Sequence, residues 1–199
     1  MKKKLNTSSK QANIKYFAGD DGFVNAEKAT GHYIKIASAN WLASATYAAR
    51  NIQNALFIDI GSTTTDIVEV RDHEVANNGY TDEQRLIEKE LVYCGVVRTP
   101  VFAIIKAAQV KGQSIPIINE YFANTADVYR LTRELPTYVD LGETLDGRNK
   151  DVASSATRLA RMFANDAKQD ERDTWHEVAS QVRNAQVQMI KDACRHQFI

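Results

Sequence analysis

Ala55-Leu-Phe-Ile-Asp59-Ile-Gly61-Ser62-Thr63-Thr64-Thr65-Asp66-Ile-Val-Glu-Val70 decides how the rest of the chain is read. Its first six residues are nearly all apolar, the pattern of a central strand covered on both faces. Gly61 permits a backbone angle that residues with a β-carbon resist. Four hydroxyl residues follow, and a second strand returns antiparallel. Such a turn aims several N–H groups and hydroxyls at one point, an arrangement suited to phosphate. Asp59 ends the first strand and Asp66 lies early in the second, so both carboxylates flank that point. Carboxylates repel a phosphate unless a cation intervenes, and Mg²⁺ is held at such places by one or two carboxylates and waters. An ordinary hairpin with a polar turn accounts for the same residues, and composition alone does not separate the two.

The composition narrows the class of protein. At 199 residues the chain supports one well-packed domain, or one lobe of a larger two-lobed fold. Twenty-five basic and 25 acidic residues cancel, so no overall field recruits nucleic acid or a membrane surface. Cys94 and Cys194 are far apart and form no ligand pair, which suits a reduced cytoplasm. No apolar run reaches the length of a membrane span. The basic start, Met1-Lys-Lys-Lys-Leu5, has no apolar stretch behind it and is not a secretory signal. A cytoplasmic protein is expected, with residues 1–12 a polar, disordered tail and residues 13–199 one folded lobe.

Along the chain, Ile14 to Ala18 reads as a short strand. A long helix is expected from about 27 to 50, capped by Asn25 and striped by Tyr33, Ile36, Ala37, Asn40, Trp41, Ser44 and Ala48. Val75-Ala76 begins a third strand. Thr81 and Gln84 have the spacing of a capping box before a short helix that runs to Leu91. Leu91 to Val97 is apolar and β-prone, broken by Gly95 and ended by Arg98-Thr-Pro100. An arginine there can grip two phosphate oxygens or form a surface ion pair. Ile115 to Ile118 reads as an edge strand, and Phe122 to Leu135 as a helix stopped by Pro136. Residues 137–150, with Gly142, Asp146, Gly147, Arg148 and Lys150, form the one long irregular segment. Loops of that length are often functional. Two helical stripes close the chain, Val152–Ala167 and Trp175–Ala193, with a break at Gln169–Arg172.

Asp59-Ile-Gly-Ser-Thr-Thr-Thr-Asp66 resembles the second phosphate-binding hairpin of the actin/Hsp70/sugar-kinase ATPase superfamily, in the version of its hydantoinase A/oxoprolinase group. Further stretches narrow the resemblance: Tyr16-Phe-Ala-Gly-Asp20, Ile36-Ala-Ser-Ala-Asn-Trp41, Glu90-Leu-Val-Tyr-Cys-Gly-Val-Val-Arg-Thr-Pro100, Glu120-Tyr-Phe-Ala-Asn-Thr-Ala-Asp-Val-Tyr-Arg130 and Asp146-Gly-Arg-Asn-Lys150. Together they are similar to the hydantoinase/oxoprolinase-type family of the tetrahydromethanopterin-linked one-carbon pathway, which serves methanofuran and methylofuran biosynthesis. The resemblance implies an α/β lobe of an actin-like (ribonuclease H-like) fold, its sheet carrying the antiparallel hairpin, with C-terminal helices packed nearby.

That superfamily normally has two lobes whose phosphate loops face each other, and this sequence holds one such hairpin. The first lobe and the Gly-Gly adenosine motif are not found in it. The resemblance therefore implies a truncated product, a separate chain carrying the first lobe, or a homo-oligomer, with an exposed apolar face where the other lobe packs. The implied activity is a condensing transferase that joins a furan-methyl diphosphate to the phenol of glutamyl-tyramine. In that reading Gly61, Ser62, Thr63, Thr64 and Thr65 cradle the diphosphate, Asp59 and Asp66 hold Mg²⁺ or act in catalysis, and Arg98, Arg148 and Lys150 contact the anion. ATP-dependent hydrolysis of an amide ring, with ATP on the same hairpin, is the second reading. A binding subunit without turnover is the third.

Overall fold

The computed structural model describes residues 14–168 and 170–198, so the expected tail at 1–12 lies outside the described residues. In chain order these form β1 (Lys15–Phe17), β2 (Phe23–Asn25), α1 (Tyr33–Ser38), α2 (Asn40–Ala49), β3 (Ala55–Ile60), β4 (Thr65–Arg71), β5 (Glu74–Val75), α3 (Asp82–Ile87), β6 (Leu91–Val92), β7 (Ala107–Val110), β8 (Gln113–Pro116), α4 (Thr125–Leu131), α5 (Val152–Arg161) and α6 (Arg172–His196). The fold is mixed α/β with antiparallel pairing. Two compact units are formed, one from Met1–Phe57 and Val68–Asp82, the other from Ile58–Ile67 and Glu83–Ile199.

In the first unit β1 and β2 make a small antiparallel hairpin, Lys15 opposite Asn25 and Phe17 opposite Phe23. The single helix expected from 27 to 50 is not there. Asn25 ends β2 rather than capping a helix, turns occupy 26–32, and Ala39 (φ −100°, ψ 3°) separates α1 from α2. The reason lies in packing. Trp41, Leu42, Ala45 and Ala49 are buried on one face of α2, whereas Tyr33 and Ile34 on α1 are exposed. A segment with no buried face gains little tertiary support for a continuous helix. Trp41, Leu42, Ala45 and Val68 form the small core, with Phe17, Phe57, Val75 and Tyr80 packed on it.

β4 turns into β5 through a two-residue loop, since Arg71 pairs with Glu74. Asp72 (φ 51°) and His73 (φ 67°) both sit in the left-handed region, as the tightest hairpin turns require. Neither is a glycine, and the turn is held from outside. The Asn54 side chain accepts from the Asp72 N–H at 3.1 Å, and the Gln53 carbonyl accepts from the His73 N–H at 3.0 Å.

The second unit is built on the C-terminal helices. Leu159, Met162 and Phe163 meet Trp175, Val178, Ala179 and Val182, with Val101 and Val128 in the same core. The expected stripes are present in part: Phe163 and Ala167 lie beyond α5, Met189 is exposed, and the break falls at residues 162–171. The expected helix from Phe122 is shorter, because Asn124 caps α4 through a reciprocal box with Asp127. The expected strand over Leu91–Val97 shrinks to β6, and the residues after it turn toward the 61–64 loop.

In the main sheet the order is β3-β4-β5, and β6 pairs antiparallel with β4, Thr65 opposite Val92 and Asp66 opposite Leu91. This corrects the reading of β3 as a strand covered on both faces. Among the described residues β3 lies at the edge, and Ile58 and Ile60 are 42% and 47% exposed. The buried strand is β4, whose Ile67, Val68 and Val70 are almost fully covered. Among the described residues β4 has neighbours on both sides and β3 has one. Among the described residues, no helix is long and apolar enough to cross a membrane.

Candidate phosphate-binding turn

The turn between β3 and β4 is closed by the Gly61 N–H, which donates to the Thr64 carbonyl at 2.8 Å. Gly61 does not occupy the left-handed region, which corrects the conformational reason given for it. Its small size matters instead, because a β-carbon there would lie 3.2 Å from the Thr64 carbonyl oxygen.

Two carbonyls of this turn, those of Gly61 and Ser62, point into the protein. The Gly61 carbonyl accepts from the Val96 N–H at 3.0 Å, and the Ser62 carbonyl from Val97 and Arg98 at 3.1 and 2.9 Å. Among the described residues, nothing accepts from the N–H groups of Ser62 and Thr63. A peptide unit whose carbonyl is turned inward presents its N–H outward, so the donors of the turn are left for an external acceptor. The Ser62 and Thr63 hydroxyls lie beside them, 3.4 Å apart.

Thr65 departs from the expected set. It is fully buried, and its hydroxyl donates to the Cys94 carbonyl at 2.7 Å. It braces the turn from below rather than facing a ligand.

A second glycine completes the arrangement. A β-carbon on Gly95 would come within 2.6 Å of the Gly61 carbonyl oxygen, and closer still to Ser62 and Thr63 backbone atoms. The Gly95 segment is itself anchored. The Thr99 hydroxyl accepts from the Gly95 N–H at 2.8 Å, and the Gln186 side chain donates to the Gly95 carbonyl at 3.0 Å. Thr99 is joined in turn to Thr125 at the start of α4. Gln186 is fully buried within the apolar stripe of α6, a place where a glutamine needs such a partner.

The two aspartates differ. Asp59 is exposed on the edge strand, and no ion pair or side-chain hydrogen bond engages it among the described residues. Asp66 is mostly covered, and the Arg85 guanidinium of α3, 1% exposed, meets its Oδ1 at 2.8 Å. Arg85 also donates to the Glu90 carbonyl at 3.1 Å. The negative charge of Asp66 is therefore balanced by the protein. Among the described residues there is no cluster of three or more potential metal ligands. Asp59, an exposed carboxylate two residues before Gly61, is the kind of donor that fits Mg²⁺, which keeps waters and shares ligand phosphates.

Arg98 is exposed, its own amide is bound to Ser62, and its guanidinium has no ion-pair partner among the described residues. Arg148 and Lys150 are placed otherwise. Their partners are Asp146 and Asp140 of their own loop. That loop is tied down by a buried network absent from the sequence reading. Arg158, 1% exposed, bonds Asp127 at 2.7 Å and Asp146 at 2.9 Å, while Arg130 bonds Asp140 at 2.7 Å. Burial alone would raise the Asp146 carboxyl, but the Arg148 amide and the Arg158 guanidinium bring it below its ordinary value.

Of the residues that build the turn, sequence reasoning passed over Arg85, Thr99 and Gln186 and saw Gly95 only as a break in a strand. A glutamine interrupting an apolar helical stripe was a usable signal; Arg85 offered none.

The sequence model of the family described as Hydantoinase/oxoprolinase matches residues 1–197. A (4-{4-[2-(gamma-L-glutamylamino)ethyl]phenoxymethyl}furan-2-yl)methanamine synthase from Methanocaldococcus jannaschii is 32% identical over 177 residues, 88% of this chain and 53% of that protein. A synthase of the same name from Methanococcus vannielii is 32% identical over 148 residues, 73% of this chain and 66% of that protein. The chain thus spans about half the length of the first relative and somewhat more of the second.

Proposed function

The chain belongs to the hydantoinase/oxoprolinase family, and from that premise we propose that it supplies the diphosphate-binding part of a condensing transferase. The donor is a furan-methyl diphosphate and the acceptor the phenol of γ-glutamyl-tyramine, in methanofuran-type cofactor synthesis. The names of the relatives support this choice, since they describe a phenoxymethyl ether between a furan and a γ-glutamylamino-ethyl phenol.

One observation carries the proposal. The Gly61 and Ser62 carbonyls are bonded to Val96–Arg98, and among the described residues nothing accepts from the Ser62 and Thr63 N–H groups, which are left for an outside acceptor. In the reaction a bond forms between the phenol oxygen and the furan-methyl carbon. The bond from that carbon to the diphosphate oxygen breaks, the electron pair leaves with diphosphate, and the phenolic proton passes to a base. The turn amides and the Arg98 guanidinium stabilise the charge on the departing oxygens. Asp59 would hold Mg²⁺, which when bound offsets the diphosphate charge. Asp66, fixed by Arg85, keeps the start of β4 in place beneath the turn.

An actin-like lobe belongs to the same reading, as does a second lobe from another chain or copy; the exposed Ile58 and Ile60 on the open edge of β3 support it. Two free cysteines suit a reducing cytoplasm.

The test is to incubate the protein, alone and together with the chain that carries the second lobe, with Mg²⁺, furan-methyl diphosphate and γ-glutamyl-tyramine, and to measure diphosphate and the ether product together. Equal yields of both are expected. Orthophosphate released from ATP in the presence of a hydantoin or oxoproline would replace the transferase with a hydrolase. Tight diphosphate binding without turnover would leave a binding subunit.

A further inference from the structure

The Tyr16-Phe-Ala-Gly-Asp20 stretch takes no part in the phosphate turn, yet Phe17 and Gly19 help to line a cavity of about 460 Å³ in the other compact unit. Phe17, Leu42, Val75 and Tyr80 also line it, and all four belong to the small apolar core of that unit. Gly19 (φ 61°) is needed for this wall. A β-carbon there would lie 2.1 Å from the Tyr80 hydroxyl oxygen, so any larger residue would push the ring away.

The polar side of the cavity is unusual. Arg50 and Glu74 both line it and both are exposed, so they stand at its mouth. Among the described residues neither has an ion-pair partner, and the two are not paired with each other. His73 lines the cavity too and is already engaged with the Ala49 carbonyl at 3.2 Å. An apolar floor under two separated, opposite, uncompensated charges matches a ligand that carries both an anion and a cation on an apolar stem.

We propose that this cavity binds an α-amino acid head carried on an aromatic or apolar stem. Arg50 grips the carboxylate, Glu74 takes the ammonium, and the stem lies against Phe17, Leu42, Val75 and Tyr80. The γ-glutamyl end of the acceptor has this chemistry, because a γ-amide leaves the α-ammonium and α-carboxylate intact. That identification rests on the transferase reading; binding of the ligand class does not.

The experiment is calorimetric titration of the full chain with four ligands: γ-glutamyl-tyramine, L-tyrosine, tyramine and hydroxyphenylpropionate. The last two each keep one charge. The two zwitterions should bind about tenfold more tightly than either single-charge compound. Arg50→Gln should weaken γ-glutamyl-tyramine about tenfold while leaving tyramine unchanged, and Glu74→Gln should leave hydroxyphenylpropionate unchanged. Leu42→Trp, which fills the floor, should abolish all four. Diphosphate affinity should be the same in the Arg50 and Glu74 variants, which also reports that they are folded. Equal affinity for the four ligands, or no effect of either charge substitution, overturns the site. If the zwitterions bind but no ether forms even with the second lobe supplied, the transferase reading fails and the site stands. If ether forms and both variants keep the KM for the acceptor, the site fails and the transferase stands.

Discussion

Gly95 rests on the backbone of Thr63: a β-carbon at position 95 would lie 2.5 Å from the Thr63 amide nitrogen and 2.5 Å from the Ser62 carbonyl carbon. Both obstacles are main-chain atoms of the turn, so no side-chain rotation relieves the clash. Gly95→Ala should lower stability by about 1–3 kcal/mol and weaken diphosphate binding about tenfold by pushing the turn outward. Thermal melts and calorimetry with Mg²⁺–diphosphate measure the two effects. Gly61→Ala is the milder control, because its β-carbon would meet a single oxygen at 3.2 Å. Unchanged diphosphate affinity in Gly95→Ala would remove the turn from consideration as the site.

Arg85 and Asp66 are the pair on which the start of β4 depends. Removing one member of a buried pair strands the other charge, at a cost of about 3–5 kcal/mol. Arg85→Met should show that loss in urea denaturation. Arg85→Lys should recover only part of it, since a lysine does not reproduce the fork that reaches both Asp66 and the Glu90 carbonyl. The double variant Arg85→Met with Asp66→Asn should be more stable than Arg85→Met alone. A double variant that is less stable would mean the two charges are not coupled.

Asp59 separates metal binding from chemistry. Asp59→Asn keeps the shape and removes the charge, and stability should hardly change at an exposed position. In the metal role the variant binds Mg²⁺–diphosphate more weakly, and raised Mg²⁺ restores much of the turnover. A general-base role predicts normal binding with turnover lower by about 10²–10⁴-fold and no rescue. We expect the first outcome in Mg²⁺ titrations of the two proteins.

The Asp127–Arg158–Asp146 network should set an acid limit on the loop at 137–150. Asp146 is held below the ordinary carboxylate value of about 4. Its contribution is therefore full above that value in the unfolded chain, and is lost as the pH falls through its lower folded value. Proteolysis of the loop should rise on acidification below about pH 4 in the native protein. Arg158→Met removes the guanidinium that joins Asp127 to Asp146 but leaves Arg130 on Asp127 and Arg148 and Arg161 on Asp146, so it should cost less than the about 3–5 kcal/mol of a buried charge left with no partner. Loop protection that is independent of pH would show that the network does not anchor it.

The legible parts were those governed by neighbours in the chain. The hairpin at 55–70 was read from an apolar run, a glycine and a hydroxyl cluster, all local signals. The helical stripes around Leu159 and Trp175 followed from their period, because a helix displays one face to whatever covers it. The helix expected at 27–50 failed for the complementary reason. Gly31 weakens its first half, and the large side chains that found a core to cover, Trp41 and Leu42, lie in its second half.

By itself the sequence determined the turn, its donors and the positions of Asp59 and Asp66, since those depend on residues within a dozen positions of one another. The tertiary structure alone decided which of them face outward. Thr65 is turned to Cys94, Asp66 is claimed by Arg85, and among the described residues β3 lies at the edge of the sheet rather than at its centre. Gly95 and Gln186 entered the site from 30 and more positions away. Whether a carboxylate is open or neutralised depends on which distant side chain folding delivers to it, and burial and charge compensation act through space rather than along the chain.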